Sequence, residues 1–316
     1  MATAQSTESR PGELKDVPGW FWPLDQVLFT WFLERQTERG VSGDLLELGA
    51  YMGKSAILLG HHLQAGETFT VCDLFGSDAP DQANRAESAG SYSTLTRQAF
   101  EQNYLSFHEA LPTVVQGPTS VITKEVEPAT CRFVHIDASH LYEHVRGDIE
   151  AARELLLPDG VVVLDDFRSE HTPGVSVAAW EAVLNGGLRP ICLSTQKLYA
   201  TWGDPEPVQD ELVAMLRGRD DCSVSVQQAA GHRLVRARAK TMQPPPFPRS
   251  RHYTAPVPKP AREPVPARRP APARPAGAAR ARRLAVDLLP PIVTRAVRRY
   301  RAAGRARDAS RASTPR

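Results

Sequence analysis

The sequence lacks the features of a membrane-spanning or disulfide-stabilised protein. No stretch approaches the ~18 uncharged apolar residues of a membrane helix, and the start, MATAQSTESRPGELKD, lacks the apolar core of a signal peptide. No C-x-x-C spacing is present, which disfavours both a zinc site and a disulfide framework. We therefore expect buried free thiols, a reducing compartment and a cytoplasmic protein. The cysteines concerned are Cys72, Cys131, Cys192 and Cys222.

The C-terminal quarter of the chain lacks the composition of a folded core. From Thr241 to Arg316 there are 18 basic residues, 3 acidic residues and 15 of the 27 prolines. The preceding part holds 20 basic and 33 acidic residues, so the net charge of +2 conceals an acidic body and a basic tail. This composition predicts a disordered or polyproline-like tail. We expect a flexible arm over residues 1–15, a folded domain over 16–240 and the tail over 241–316.

The end of this tail, Ala281 to Arg307, mixes apolar residues with many arginines. One interpretation is a short amphipathic helix, interrupted at Pro290-Pro291, that lies on an anionic membrane. The other, which we favour, is a solvated polycationic segment with only non-specific attraction to anions. Since no motif falls within the tail, we expect it to be dispensable for the chemistry. We expect no specific nucleic-acid contact, and the sequence leaves a homo-oligomer open.

A strand-turn-helix pattern is present in GDLLELGAYMGKS, residues 43–55. Its leucines predict a buried strand, Gly49 and Gly53 allow a tight turn close to a ligand, and a helix begins at Lys54. A second apolar strand ends on Asp73, whose carboxylate can accept hydrogen bonds from both hydroxyls of a ribose. The pattern indicates a nucleotide-type cofactor site, with an ordinary strand-turn-helix as the alternative.

The spacing within this turn separates three cofactor families. A P-loop needs four residues between its first glycine and Gly-Lys-Ser, but only three separate Gly49 from Gly53. A dinucleotide fingerprint needs a middle glycine, and that position is Tyr51. The remaining pattern, E-x-G-x-x-x-G with Glu47 as its acid, resembles motif I of the class I S-adenosylmethionine-dependent methyltransferases.

Strand and helix patterns alternate up to Leu164, which is typical of a parallel sheet with helices on both faces. Two later strands, Arg189 to Leu193 and Lys197 to Trp202, predict a hairpin with one antiparallel strand, as in the methyltransferase sheet. We therefore predict an α/β fold with a doubly wound, seven-stranded Rossmann-like methyltransferase sheet. The strand-like segments CSVSV and HRLVRAR are predicted to be a C-terminal addition.

Two segments are expected to border the cofactor site. The stretch from Gly76 to Ser93 is too long for a simple connection and indicates a lid or mobile segment. The aromatic cluster Trp20, Phe21 and Trp22 is interpreted as core or as a lid over the cofactor.

Acidic residues follow two neighbouring strands. Asp137 ends the fourth strand, and Asp165 and Asp166 end the fifth, so three carboxylates should meet at the edge that holds the cofactor turn. Such a cluster is unfavourable without a cation, and an all-oxygen set suits Mg²⁺. His140 should face the same pocket. Alternatively, the aspartates cap the segments that follow them, and His140 is bonded to Asp137. The remaining histidines of this region, His135, His144 and His171, carry no functional signal.

The motifs HIDASH, LLLPDGVVVLDDF and PGV, together with E-x-G, resemble the macrocin O-methyltransferase and rhamnosyl O-methyltransferase group over residues 43–175. These bacterial class I enzymes methylate sugar hydroxyls. The resemblance implies a small-molecule or glycan acceptor, magnesium on Asp137, Asp165 and Asp166, and His140 as the base. The first residue of the acidic pair is often Glu in the group, and Asp165 has a shorter reach.

S-adenosylmethionine is expected to place its ribose on Asp73, its methionyl part over the glycine turn and its adenine against the turn at residues 117–120. The full set of expected cofactor contacts is Glu47, Gly49, Tyr51, Gly53, Ser55, Asp73, Gly117, Thr119 and Ser120. Two alternatives stay open: a metal-independent small-molecule methyltransferase, and a catalytically silent binding protein with the methyltransferase fold.

Overall fold

The computed structural model describes residues 10–79, 82–85 and 95–255. Nine strands form one sheet in this part of the chain: β1 Asp44–Leu48, β2 Phe69–Asp73, β3 Thr113–Gln116, β4 Cys131–Ile136, β5 Leu156–Leu164, β6 Arg189–Leu193, β7 Leu198–Thr201, β8 Cys222–Ala229 and β9 His232–Ala239. Their order across the sheet is β3-β2-β1-β4-β5-β7-β6-β9-β8.

Helices cover both faces of this sheet, as predicted for a doubly wound fold. They are α1 Pro23–Glu38, α2 Lys54–His61, α3 Arg97–Phe107, α4 Tyr142–Leu155, α5 Pro173–Asn185 and α6 Glu206–Arg217, with 3₁₀ helices at Leu14–Asp16 and Thr119–Lys124. Buried side chains of α1, α2, α3 and α6 pack on one face, and those of α4 and α5 pack on the other. Adjacent strand residues such as Leu45 and Leu46 belong to opposite cores because successive side chains of a strand alternate.

The first five strands are parallel, and β7 is antiparallel to both of its neighbours, β5 and β6. This arrangement confirms the predicted α/β methyltransferase sheet with its late hairpin. The prediction of seven strands is too low, since β9 adds in parallel to β6 and β8 closes the edge. The hairpin of β8 and β9 extends the sheet, and its residues Leu234, Val235 and Ala237 are buried there. This hairpin also covers the edge of β6, which would otherwise be exposed.

The described residues contain neither a disulfide bond nor a membrane-spanning helix. All four cysteines are buried and free, which confirms the expected thiols. Within the residues described, no helix is long and apolar enough to cross a membrane. Residues 256–316, including the segment considered as an amphipathic helix, lie outside the described residues.

Residues 241–255, here called the C-terminal strap, are ordered, and the prediction of disorder from Thr241 onward is wrong for them. Met242 and Ser250 are buried. The Ser250 hydroxyl donates to the Pro11 carbonyl at 2.6 Å, and the Ser250 N–H donates to the Gly12 carbonyl at 3.0 Å. Composition averages over the tail and therefore misses a few anchoring side chains in a proline-rich segment, whose extended backbone needs no ladder of hydrogen bonds.

We expect two truncated proteins, one with the strap and one without it, to differ in their free energy of unfolding. A chain ending at Ala255 is expected to keep the wild-type free energy of unfolding, whereas one ending at Lys240 should lose about 3–5 kcal/mol of it. This estimate combines about 1 kcal/mol for each of several hydrogen bonds with about 1.5–3 kcal/mol for burial of Met242. Urea unfolding of the two truncated proteins provides the measurement, and equal midpoints would show that the strap is not part of the fold.

Candidate active site

The predicted site residues meet at the carboxyl edge of the sheet because the strand register aligns them. Leu48 pairs with Ile136, and Ile136 pairs with Leu164. The next residues are therefore neighbours: the Asp137 N–H donates to the Leu48 carbonyl at 2.7 Å, and the Asp165 N–H donates to the Ile136 carbonyl at 2.9 Å. The sheet thus brings Gly49, Asp137 and Asp165 into one row.

The glycine turn is held against this row by a backbone contact. Gly49 has φ +81°, and a Cβ there would lie 2.0 Å from the Asp137 carbonyl oxygen. A side chain cannot be accommodated, so glycine is needed for the approach of two backbones as well as for the turn itself. Gly53, the N-cap of α2, lies behind the turn near Phe100.

Asp73 anchors the same turn from the end of β2. Its Oδ2 accepts the N–H groups of Ala50 and Tyr51 at 2.8 and 3.0 Å, and its Oδ1 accepts the N–H of Phe75 at 2.7 Å. Burial raises the pKa of Asp73, and these three backbone donors oppose that shift. The carboxylate therefore fixes the backbone between β1 and α2 and stands beside the space where a ligand would lie.

A cavity of about 1690 Å³ opens at this edge. Seven of the nine predicted cofactor contacts line it: Gly49, Tyr51, Ser55, Asp73, Gly117, Thr119 and Ser120. Small-ligand sites usually measure about 300–1,000 Å³, so this cavity has room for a cofactor together with an acceptor.

Glu47 is not among the residues that line the cavity. It is fully buried in β1, where its Oε1 lies 2.8 Å from His135 Nδ1. Burial raises the pKa of Glu47 to about 8. The structure therefore places Glu47 beneath the turn, in contact with His135, for which no function was predicted.

Asp166 and His140 form a pair that faces the cavity. Asp166 Oδ2 lies 3.1 Å from His140 Nε2, and the Ser169 hydroxyl donates to Asp166 Oδ1 at 2.5 Å. Burial alone raises the pKa of Asp166, but His140 and Ser169 outweigh it and lower the pKa to about 2. The pair joins an ionised carboxylate to an imidazole at the cavity wall.

The loop that carries His140 is packed against α5. A Cβ on Gly174 would lie 2.5 Å from the His140 carbonyl oxygen. The PGV motif thus starts a helix at Pro173 and brings its first turn directly against the His140 backbone.

Asp165 occupies a different environment from Asp166. Its Oδ2 accepts a hydrogen bond from the Lys197 ammonium, and its Oδ1 accepts the Asp166 N–H at 2.7 Å. Burial raises the pKa of Asp165, but Lys197 lowers it below its ordinary value. Asp137 has the opposite shift, because burial and the nearby Asp165 raise its pKa.

The arrangement fits a divalent cation at one position in particular. Asp137, His140 and Asp166 each offer a ligand atom, and these atoms lie within 4.8 Å of one another. Ligand atoms of His135, Asp137 and Asp165 also lie within 4.8 Å of one another. At that position, however, Lys197 already contacts Asp165 and lies 3.2 Å from His135. Mg²⁺ commonly uses one or two protein carboxylates and takes its other oxygens from water and substrate, which suits Asp137 with Asp166.

Aromatic residues before α1 form part of the cavity wall. Phe21 is buried, whereas Trp20 and Trp22 are 66% and 51% exposed. Trp20 stacks on Tyr51 with 5.8 Å between ring centroids. The expected core position thus fits only Phe21, and the tryptophans border the cavity. Of the segment from Gly76 to Ser93, residues 76–79 and 84–85 also line the cavity, and residues 80–81 and 86–94 lie outside the described residues.

Comparison with known proteins gives a family match for the region that carries this site. A family model described as a methyltransferase domain matches residues 46–167. No curated protein matches the chain.

Solved structures that match part of the chain include several methyltransferases. The O-methyltransferase NovP is 19% identical, with a TM-score of 0.44, over 57% of this chain and 81% of its own. CalS11, a TDP-rhamnose 3′-O-methyltransferase of calicheamicin biosynthesis, is 16% identical, with a TM-score of 0.39, over 58% of this chain and 82% of its own. TomG from Streptomyces achromogenes, solved with S-adenosylmethionine, is 19% identical, with a TM-score of 0.32, over 70% and 79%.

The matched segment begins in β1 and ends just after Asp166, so it contains the glycine turn, Asp73 and the acidic pair. The match identifies residues 46–167 as a methyltransferase domain, and the strand order with its antiparallel β7 fits the fold expected for a class I, S-adenosylmethionine-dependent methyltransferase.

Proposed function

We propose that this enzyme methylates a hydroxyl oxygen of a sugar, glycan or glycosylated natural product. The observation that carries the proposal is the His140–Asp166 pair beside Asp137, on the cavity that the glycine turn and Asp73 also border. The sugar class rests on the resemblance of the HIDASH, LDDF and PGV motifs to sugar O-methyltransferases.

The cofactor residues proposed here differ in their tasks. Asp73 receives the ribose hydroxyls, the turn from Gly49 to Ser55 supports the methionyl part, and residues 117–120 contact the adenine. Glu47 does not contact the cofactor directly: it is buried beneath the turn and positions His135. S-adenosylmethionine supplies an activated methyl group, so the protein chiefly has to position and deprotonate the acceptor.

His140 is the proposed base. When its Nε2–H points to Asp166, the basic nitrogen of a neutral imidazole is Nδ1, and that atom takes the hydroxyl proton. The ionised Asp166 stabilises the imidazolium that results. The acceptor oxygen then forms its bond to the methyl group while the methyl–sulfur bond breaks, with the electron pair left on sulfur.

We propose that Asp137 and Asp166 hold Mg²⁺, with Asp165 in a supporting role. A bound Mg²⁺ would lower the pKa of a coordinated hydroxyl and orient it. A second candidate, metal-independent methyl transfer, is favoured by one observation: Lys197 already places a cation against Asp165.

A chelator distinguishes the two candidates. If magnesium is required, exhaustive treatment with EDTA abolishes methyl transfer, and added Mg²⁺ restores it. Asp137→Ala is then expected to lose turnover while it still binds S-adenosylmethionine. Wild-type turnover after chelation would contradict the metal proposal and favour His140 acting without it.

The proposed reaction itself is tested with radiolabelled S-adenosylmethionine and a panel of nucleotide sugars, glycosides and catechols. Mass spectrometry of the product identifies the methylated atom. A thermal-shift comparison of S-adenosylmethionine, ATP and NAD should show stabilisation by the first alone. Stabilisation by none of them would favour a catalytically silent protein.

A further inference from the structure

Lys197 is a buried cation that the proposed reaction does not use. It immediately precedes β7 and is 1% exposed. Its ammonium contacts Asp165, lies 3.2 Å from His135 Nε2, and is 5.8 and 6.0 Å from the ring centroids of Phe21 and Phe29. A buried charge is costly unless it is paired, so this lysine calls for an explanation beyond packing.

The strand register explains why Lys197 meets Asp165. Leu198 of β7 pairs with Leu164 of β5, and the two strands are antiparallel. Lys197 precedes Leu198 and Asp165 follows Leu164, so Lys197 and Asp165 lie opposite each other, one residue beyond the Leu164–Leu198 pair. The late antiparallel strand thus brings a cation into the row of carboxylates at the ends of the parallel strands.

Groups beneath the lysine keep it in place. His135 Nδ1 faces Glu47, so its Nε2 is left to accept a hydrogen bond from the ammonium. Burial by itself lowers the pKa of Lys197, but the carboxylates of Asp165, Asp137 and Asp25 raise it above its ordinary value. The Asp165 carboxylate and the His135 imidazole therefore hold the lysine ammonium between them.

Asp165 connects Lys197 to the turn at the cavity wall that contains Asp166. The oxygen that does not face Lys197 accepts the Asp166 N–H at 2.7 Å. Asp166 has φ +53°, a left-handed conformation that is uncommon for a residue with a side chain. This turn directs the Asp166 carboxylate towards His140, 3.1 Å away.

We propose that Lys197 is a positioning residue for methyl transfer: by holding Asp165, it fixes the turn that presents Asp166 to His140. The inference rests on the proposed role of His140, and it adds a residue outside the matched family segment. A lysine with a merely structural role would affect folding but leave turnover per folded molecule unchanged.

The first test is Lys197→Met, which keeps most of the length of the side chain and removes the charge. We expect kcat per S-adenosylmethionine-binding site to fall at least about tenfold, with the dissociation constant for the cofactor within about twofold of wild type. A crystal structure of the variant should show Asp166 out of the left-handed region or His140 more than about 4 Å from it. Wild-type kcat or an intact His140–Asp166 contact would overturn the proposal.

A double variant covers the case in which Lys197→Met fails to fold. Asp165→Asn combined with Lys197→Met removes both buried charges, and the asparagine oxygen can still accept the Asp166 N–H. We expect this protein to fold and to have a kcat within about threefold of Asp165→Asn alone, because the contact that Lys197→Met removes is already lost in that background. A double variant more than about tenfold slower than Asp165→Asn would show that Lys197 does not act through Asp165 and would contradict the proposal.

The acceptor panel tests the proposed function, whereas the crystal structures of the variants test the role of Lys197. If the wild-type enzyme methylates no acceptor in the panel, the proposed function fails. The crystal structures of the variants still decide whether Lys197 holds the Asp166 turn.

Discussion

Replacement of His140 by Ala is expected to lower kcat for methyl transfer by about 10²–10⁴-fold, the usual contribution of a positioned general base. The affinity for S-adenosylmethionine should stay within about twofold, because the residues proposed to bind the cofactor belong to other segments of the chain. Asp166→Asn should have a smaller effect on kcat, about 10-fold to 100-fold, since it keeps a hydrogen-bonding group near His140 but removes the charge that stabilises the imidazolium. Steady-state kinetics with the identified acceptor, together with calorimetry for the cofactor, provide the measurements.

His232→Ala is a suitable control, because this histidine begins β9 and is not among the residues that line the cavity. It should retain wild-type kcat. An unchanged kcat in His140→Ala would exclude this residue as the base. If kcat falls in His140→Ala but not in Asp166→Asn, His140 is supported as the base and the Asp166 carboxylate is not needed to stabilise the imidazolium.

The local sequence was sufficient to predict the backbone of the strand-turn-helix at the carboxyl edge of the sheet. Leu45, Leu46 and Leu48 specify a buried strand, Gly49 specifies the turn that follows, and Asp73 ends the next strand. These features depend on alternation and on backbone conformation, which a short segment determines by itself. The parallel register then brings Asp137 and Asp165 beside the turn without further information.

The environment of each carboxylate could not be predicted in the same way. Asp165 and Asp166 are adjacent and chemically identical, and the sequence assigned both to a metal. Of these two aspartates, Asp165 is the one that contacts Lys197, and this contact depends on the antiparallel pairing of a strand more than thirty residues later. A charged residue before the apolar run LYAT was the available signal, but a lysine at a strand end is more often solvated.

The boundary of the folded part was also misjudged for a physical reason. Proline and arginine content predicts disorder because it averages over a long window, whereas Met242 and Ser250 act as individual anchors. Their contacts reach Pro11 and Gly12, and that N-terminal segment continues to Trp20 at the cavity. Contacts between segments that are far apart in the chain carry no local sequence signal.

Asp73→Asn is expected to weaken binding of S-adenosylmethionine by about 2–3 kcal/mol, which corresponds to about 30-fold to 150-fold in the dissociation constant. The substitution removes a charge that would accept two ribose hydroxyls. It also places an amide NH₂ among three backbone N–H donors that now point at carboxylate oxygens. Isothermal calorimetry measures the affinity, and Asp44→Asn is the matched control. Asp44 also accepts a backbone N–H, from Thr68 at 2.7 Å, but it lies at the opposite end of β1 and should change the affinity less than about twofold.

A ribose lacking its 2′-hydroxyl separates the two contributions of Asp73. The wild-type enzyme should bind 2′-deoxy-S-adenosylhomocysteine about tenfold more weakly than S-adenosylhomocysteine, because a buried carboxylate then loses one hydrogen-bond donor. In Asp73→Asn the two ligands should differ by less than about threefold, since the charged acceptor is gone. If the variant still discriminates between them as strongly as wild type, Asp73 supports the turn through its backbone contacts, and another residue binds the ribose. Unchanged affinity for both ligands would remove Asp73 from the cofactor site altogether.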